Sequence, residues 1–345
     1  MKVALLTPCY YPFVRGNSVT VRRVESNLLA CGCEVEVFPL DTTTAEDTLK
    51  GMKRFGADII HAFHGFLGGR IARLIAGTLG IPYVITLTGS DVYEALQDSR
   101  RHDTISAMQN SAAVIAFHES ISNRLVEDLP GLAGKVSVVA QGVEMPGSIY
   151  PHHGEFRPDE GDLVILLPAG LRPVKNVAFA PPLLARLYER GARLYFILLG
   201  PVLHRGYAAE VLSEQERFPF AHYFGEVGHN SIGWFYGQAD IVLNTSSFEG
   251  GMANTVLESM LLGKAVLASN IEGNRSVIED GVTGFLYQGE CDFLEKLERL
   301  MGDEKLRHSL GKNARSFVER KFSPEKEAAT YMELYGRILA NPVMG

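Results

Sequence analysis

The chain is short of the features that would place it in several common classes. Only four cysteines occur in 345 residues: Cys9, Cys31, Cys33 and Cys291. None forms a CxxC pair with metal-ligand spacing, and the set is too sparse for a disulfide framework. Cys31 and Cys33 flank one glycine, which fits a turn after a helix better than a working thiol pair. No apolar run approaches the ~20 residues of a transmembrane helix. The opening "MKVALLTP" has no cleavage-site pattern and reads as a first strand, so a cytoplasmic location is expected. Long basic runs are also missing. Lys and Arg total 33 against 40 Asp and Glu, a net charge of −7, which argues against a general nucleic-acid or membrane-surface binder. Two nucleotide signatures are absent as well. Neither half has G-x-G-x-x-G after its first strand, and no GxxxxGK[ST] occurs. Any phosphate must be held by something else.

What is present is an alternation of short apolar runs with longer amphipathic ones, in a chain too long for one ordinary core. "KVALLTP", "EVEVFPL", "ADIIHAF", "PYVITL", "AAVIAF" and "KVSVVA" are β-rich and bounded by Gly, Pro or Asp. Helical patterns lie between several of them. In the first, Val21, Val24 and Leu28 share a face. The rhythm breaks from Gln141 to Asp162, a Gly-, Pro- and His-rich stretch read as an interdomain linker. A second set follows: "LVILLPAG", "RLYFILLG", "AHYFGE", "ADIVLNTS", "KAVLAS" and "GFLY". The tail reads as one helix with Ser323 as N-cap, Pro324 in its first turn and Pro342 at its end. This is an α/β chain of two doubly wound domains, expected at residues 1–145 and 146–322, followed by a helix over 323–345. Ligands of such sheets sit outside the carboxyl ends of the strands, so the cleft between the domains is the expected site.

Two elements can meet a phosphate. In "AGLRPVKN", Arg172 and Lys175 follow a strand at its carboxyl end, where a planar fork and a point charge suit a pyrophosphate. The alternative is that Lys175 decorates the start of the next helix. In "NTSSFEGGMANTVLESM" a strand ends near Ser246 and a helix is expected to start near Asn254. Backbone N–H groups from Gly251 through Met252, Ala253, Asn254 and Thr255 to Val256 would form an anion site at that helix N-terminus. Gly250 and Gly251 permit close approach. Glu258 would lie about one turn into the helix, where a carboxylate can accept from the vicinal hydroxyls of a ribose; a simple preference of acids for early helical positions is the competing reading. Glu249, in the loop, would by itself be surface decoration. His61 and His64 end one strand and His118 another; His64 and His118 are acceptor-side candidates against the plainer reading of satisfied structural residues. Asp91 is either a base or a cap on "DVYEAL", and the cap is preferred. Arg15, Arg22 and Arg23 flank Gly16 and hint at an anionic acceptor; solvation of a surface face is the alternative.

Taken together these residues resemble the retaining GT-B glycosyltransferases of the group 1, or family 4, type. The likeness is dense and continuous from "PAGLRPVKN" to "DGVTGFLY". It is looser in the N-terminal half, through the Gly16-Asn17 segment, "ADIIHAFH", "VITLTGSDVY" and "KVSVVAQGVE". "GNSVT" and "LTGSDVY" are similar to the glycosyltransferase 1 domain-containing subgroup, and to a bacterial transferase that attaches a sugar to selenophosphate. The resemblance implies two facing Rossmann-like domains with the last helix crossing back. It implies sugar transfer from a nucleotide donor, UDP-linked, with retained configuration and no required metal or other cofactor. Arg172 and Lys175 match the pair that neutralises the diphosphate, Glu258 the ribose glutamate, and Glu249 the glutamate on the donor sugar. Gly16 and Asn17 match the loop against donor phosphate and acceptor.

Three departures stand out. Eight residues separate Glu249 from Glu258, one more than is usual in the family. Aligned on Glu258, the usual first position falls on Gly250, so either a bulge restores Glu249 or backbone amides hold the sugar. Thr88 occupies the place of a histidine that faces the donor sugar; a hydroxyl still hydrogen-bonds but takes no charge at neutral pH. Arg172 and Lys175 also stand closer together than in the commoner family form. A nucleotide-sugar binder without turnover, or a GT-B epimerase or phosphorylase, therefore remains as an alternative, the phosphorylase weakened by the lack of a pyridoxal-phosphate lysine motif.

Overall fold

The computed structural model describes residues 1–10, 16–145, 156–249 and 251–341. The chain divides into two compact units. Unit 1 comprises Met1–Gly142 with Phe322–Gly345, and unit 2 comprises Val143–Lys321.

Unit 1 holds β1 (Lys2–Thr7), β2 (Glu34–Pro39), β3 (Ile59–Phe63), β4 (Tyr83–Thr86), β5 (Ala113–Ala116) and β6 (Val136–Val138). They form one sheet in the order β2-β1-β3-β4-β5-β6, each neighbouring pair parallel. Strands buried on both faces are mostly apolar: β5 is so throughout, and β1, β3 and β4 are so apart from Lys2, Thr7, His61 and Thr86. Successive residues serve opposite layers: Ala4 and Leu6 pack in one core, Val3 and Leu5 in the other. Val21, Val24 and Leu28 of the helix Gly16–Ala30 cover the second face, together with Tyr331, Leu334 and Tyr335 of the helix Pro324–Ala340. Each such side chain contributes roughly 1.5–3 kcal/mol of burial.

The last helix starts as its sequence demands. Ser323 Oγ accepts from Lys326 N, and Pro324 is the first helical residue. Its seat in unit 1 is fixed by a buried ion pair. Arg23 Nε and Nη2 reach the two oxygens of Glu327 at 2.8 and 3.1 Å, with the side chains 3% and 2% exposed. This corrects the surface reading of Arg23: its charge is spent inside unit 1. Gly142 closes the same corner, since a Cβ there would lie 2.7 Å from Pro324 Cα and 2.9 Å from a Glu327 oxygen.

Unit 2 holds β7 (Leu163–Pro168), β8 (Leu194–Leu199), β9 (Ala221–Tyr223), β10 (Ile241–Asn244), β11 (Ala265–Ser269) and β12 (Phe285–Tyr287). Their order is β12-β11-β10-β7-β8-β9, again all parallel. Read from the other edge, this is the 3-2-1-4-5-6 order of dinucleotide-binding sheets, with the reversal between β7 and β10. Ile165 and Leu167 enter one core layer and Val164 and Leu166 the other.

Candidate active site

The loops that leave β7 and β10 meet where the strand order reverses. Beyond β7, Pro173–Lys175 makes one 3-10 turn ending on Asn176 in the left-handed region. Two bonds tie that turn to the loop after β10: Ser247 N donates to Val174 O at 2.8 Å, and Thr245 Oγ1 donates to Lys175 O at 2.9 Å. Lys175 Nζ is thereby set 2.5 Å from Glu249 Oε1. Ser246 Oγ donates to the same oxygen at 2.6 Å, and Asn244 Nδ2 at 3.3 Å. Oε2 has no partner among the described residues. Burial pushes the Glu249 carboxyl up, but the Lys175 charge and the donors from Lys175, Ser246 and Asn244 outweigh it and hold the carboxyl below its ordinary range. Arg172 is exposed, and no ion pair or hydrogen bond engages its guanidinium among the described residues.

Gly273 makes this loop possible. A Cβ there would stand 2.5 Å from Gly251 O and 2.6 Å from Glu249 Cβ, so only a glycine lets the two segments approach. The helix Asn254–Leu261 then begins at Ala253, whose side chain offers no cap. A helix start without a side-chain cap keeps N–H groups for a ligand. Met252 and Ala253 are buried; Asn254 and Thr255 are partly exposed.

Glu258 is the fifth residue of that helix and only 3% exposed. His229 Nε2 lies 3.1 Å from its Oε1, and Tyr236 Oη donates to Oε2 at 2.9 Å. Burial, with the Glu258 charge and hydrogen bond, raises the Tyr236 phenol far above its usual range, so it remains a donor.

In unit 1 the order reverses between β1 and β3. After β3, His64 adopts φ 74°, unusual for a side-chain-bearing residue. Its Nδ1 accepts from Phe66 N and Leu67 N, each at 3.2 Å, and its Nε2 lies 3.1 Å from Ser90 Oγ. An acceptor Nδ1 requires the proton on Nε2. Asp91 is wholly buried and accepts from Gly65 N, Thr88 N and Gly89 N at 2.7–3.1 Å. The loops after β3 and β4 are thus locked together. Thr88 Oγ1 is buried with no partner among the described residues. His118 caps the helix Glu119–Asp128, its Nδ1 accepting from Ser120 N. Gly16 and Asn17 are not in a loop: they open the helix Gly16–Ala30. Arg15 and Gly250 lie outside the described residues, as does Pro342.

Residues 151–317 match the family described as glycosyl transferases group 1. Glycosyltransferase 1 domain-containing protein 1 of Xenopus tropicalis is 25% identical over 336 residues, 94% of this chain and 95% of that protein.

Residues 151–317 form a group 1 glycosyltransferase domain.

Solved structures of low identity share the chain's GT-B fold. Sucrose-phosphate synthase from Thermosynechococcus elongatus gives a TM-score of 0.78 at 16% identity, covering 98% of this chain and 99% of that one. Anabaena Alr3699/HepE in complex with UDP-glucose gives 0.79 at 16% identity, covering 98% and 100%. Among its described residues the glycosyltransferase has no helix long and apolar enough to cross a membrane, and no group of three or more His, Cys, Asp or Glu able to hold a metal ion.

From the sequence, Glu249 is a loop residue whose reach to the donor sugar is open. The structure makes it a buried partner of Lys175, and of Asn244 and Ser246, which sequence reasoning missed. They lie five and three residues before it on the same strand-to-loop exit, a proximity visible in "NTSSFE" once a buried carboxylate is demanded there. His229 and Tyr236 were also missed. Their spacing puts both on one face of the helix His229–Gln238, but nothing local ties that face to Glu258.

Proposed function

We propose that this glycosyltransferase moves a sugar from a UDP-sugar, bound at the carboxyl edge of unit 2, to an acceptor engaged by unit 1, with retention of anomeric configuration. The observation that carries the reading is the meeting of Lys175 and Glu249 after β7 and β10, beside the uncapped start of the helix Asn254–Leu261. A diphosphate at that edge would draw on Arg172, Lys175 and the backbone N–H groups of Gly251 to Thr255. Glu258 would accept from the ribose. Glu249, with three donors on Oε1, would offer Oε2 to a hydroxyl of the donor sugar. The complex of HepE with UDP-glucose favours uridine as the base.

In the proposed reaction the bond from the anomeric carbon to the β-phosphate oxygen breaks, and the acceptor oxygen bonds to that carbon on the same face. The acceptor's proton passes to the departing phosphate oxygen. Negative charge grows on the β-phosphate, so fixed cations and amides aimed there lower the barrier. Thr88 and the His64–Ser90 pair are candidates for the acceptor side, since the buried Thr88 hydroxyl has a hydrogen bond to gain. Arg23 is withdrawn as a group for an anionic acceptor, because Glu327 neutralises it. No metal takes part in this scheme.

Calorimetric titration with UDP, GDP and ADP tests the donor site. UDP is expected to bind most tightly, and Lys175→Ala to weaken it about tenfold or more. Absence of binding by all three nucleotides would overturn the assignment.

A further inference from the structure

We infer that His229 and Tyr236 are positioning residues that aim the Glu258 carboxylate at a ribose diol. The inference rests on the ribose assignment made above for Glu258 and extends it to two residues that need not touch the donor.

The two side chains belong to one helix, His229–Gln238, seven residues and about two turns apart, on the same face. Glu258 belongs to another, Asn254–Leu261. One carboxylate therefore bridges two helices, with His229 on Oε1 at 3.1 Å and Tyr236 on Oε2 at 2.9 Å. Each carboxylate oxygen has two lone-pair directions. The two protein donors take one on each oxygen and leave one on each. What remains is a pair of parallel acceptors, the arrangement that two adjacent hydroxyls require.

Burial sharpens the case. At 3% exposure Glu258 has little water around it, and an ionised carboxylate so placed needs donors from the protein. Without His229 and Tyr236 it could turn about its terminal bond. With both it is pinned before any ligand arrives, which lowers the ordering cost of binding. Tyr236 is itself fully buried and lies 3.4 Å from Thr255 O, on the first turn of the helix that carries Glu258.

A tie that merely joined two helices would make the same contacts, so the test must read the ribose. The probes are UDP and 2′-deoxy-UDP, titrated into the full-length protein, and the readout is the ratio of their dissociation constants. Each ratio is internal to one variant, so a general loss of stability cancels. Wild-type protein is expected to prefer UDP by about tenfold, the size of one hydrogen bond to a charged group. Tyr236→Phe and His229→Ala are expected to bring the ratio close to one, with 2′-deoxy-UDP bound within about twofold of wild type. If Glu258→Ala collapses the ratio while both other variants keep the wild-type value, His229 and Tyr236 are structural and the inference is wrong by itself. If wild type does not discriminate, or Glu258→Ala leaves the ratio unchanged, the ribose assignment fails and takes the inference with it.

Discussion

Lys175 Nζ stands 2.5 Å from Glu249 Oε1, so the lysine and carboxylate beside the reversal of unit 2's sheet neutralise each other. The pair is only 18% and 11% exposed, and its members differ in what they would leave behind. Lys175→Met strands a buried carboxylate with two neutral donors and is expected to cost about 2–4 kcal/mol. Glu249→Gln keeps an amide for Ser246 and Asn244 and leaves a lysine that can turn to water; about 1–2 kcal/mol is expected. Urea denaturation ranks them, and a reversed order would contradict the burial argument.

The same pair sets an acid limb. The folded Glu249 carboxyl titrates below its ordinary range, so its contribution is fully present above the unfolded value of about 4.3 and is lost as pH falls through the lower folded value. The stability gap between wild type and Glu249→Gln should hold steady from pH 7 to about 5 and then shrink. A gap that widens on acidification would mean that the carboxyl is raised instead.

His61 predicts a second pH dependence, in unit 1. It is fully buried between Tyr335 Oη and Thr86 Oγ1, each 2.6 Å from a ring nitrogen, and burial pushes it down to about 3. Its unfolded value is near 6.5. Between these values the unfolded chain binds the extra proton, so stability falls as pH drops from about 6.5 toward 3. The loss from this group reaches about 2 kcal/mol by pH 5. His61→Gln should be less stable at pH 7 yet show a shallower decline to pH 5 in chemical denaturation.

Arg23 and Glu327 supply a double-variant cycle. Removing either partner alone leaves a buried charge and should cost about 3–5 kcal/mol. Removing both, as in Arg23→Met with Glu327→Leu, should cost less than the two single changes summed. Strict additivity in thermal or urea unfolding would show that the pair is not coupled.

Gly273 tests the loop itself. Gly273→Ala forces a Cβ onto Gly251 O and Glu249 Cβ and should weaken nucleotide binding about tenfold, with about 1–3 kcal/mol lost from stability. Gly336→Ala, in the last helix with open space around it, is the control and should be neutral or stabilising by up to about 1 kcal/mol. Equal behaviour of the two variants would remove the close-approach argument.

Much of the fold was legible because parallel strands write themselves as short apolar runs. All twelve segments chosen on that ground contain strands, from Lys2–Thr7 to Phe285–Tyr287. Ser323 and Pro324 start the last helix as their chemistry requires. The site was legible where position alone decides: Lys175 follows β7, and Glu258 sits early in the helix after β10. It was illegible where distant segments meet. Arg23 reads as half of a basic surface pair until Glu327, 304 residues on, is folded against it. Nothing in the sequence beside Gly273 announces that Glu249 packs against it. His229 acquires a role only when two helices share a carboxylate. Periodicity reports the face a residue occupies, not the partner waiting on the other side.

The central claim, sugar transfer from a UDP-sugar, is tested most directly by UDP release. Wild-type protein and Lys175→Ala are incubated with each of a set of UDP-sugars and a mixture of small acceptors, and free UDP is quantified over time. The account predicts UDP release by wild type from at least one donor, and a rate lower by about a hundredfold or more in Lys175→Ala. No release from any donor, or equal release by the two proteins, would contradict it.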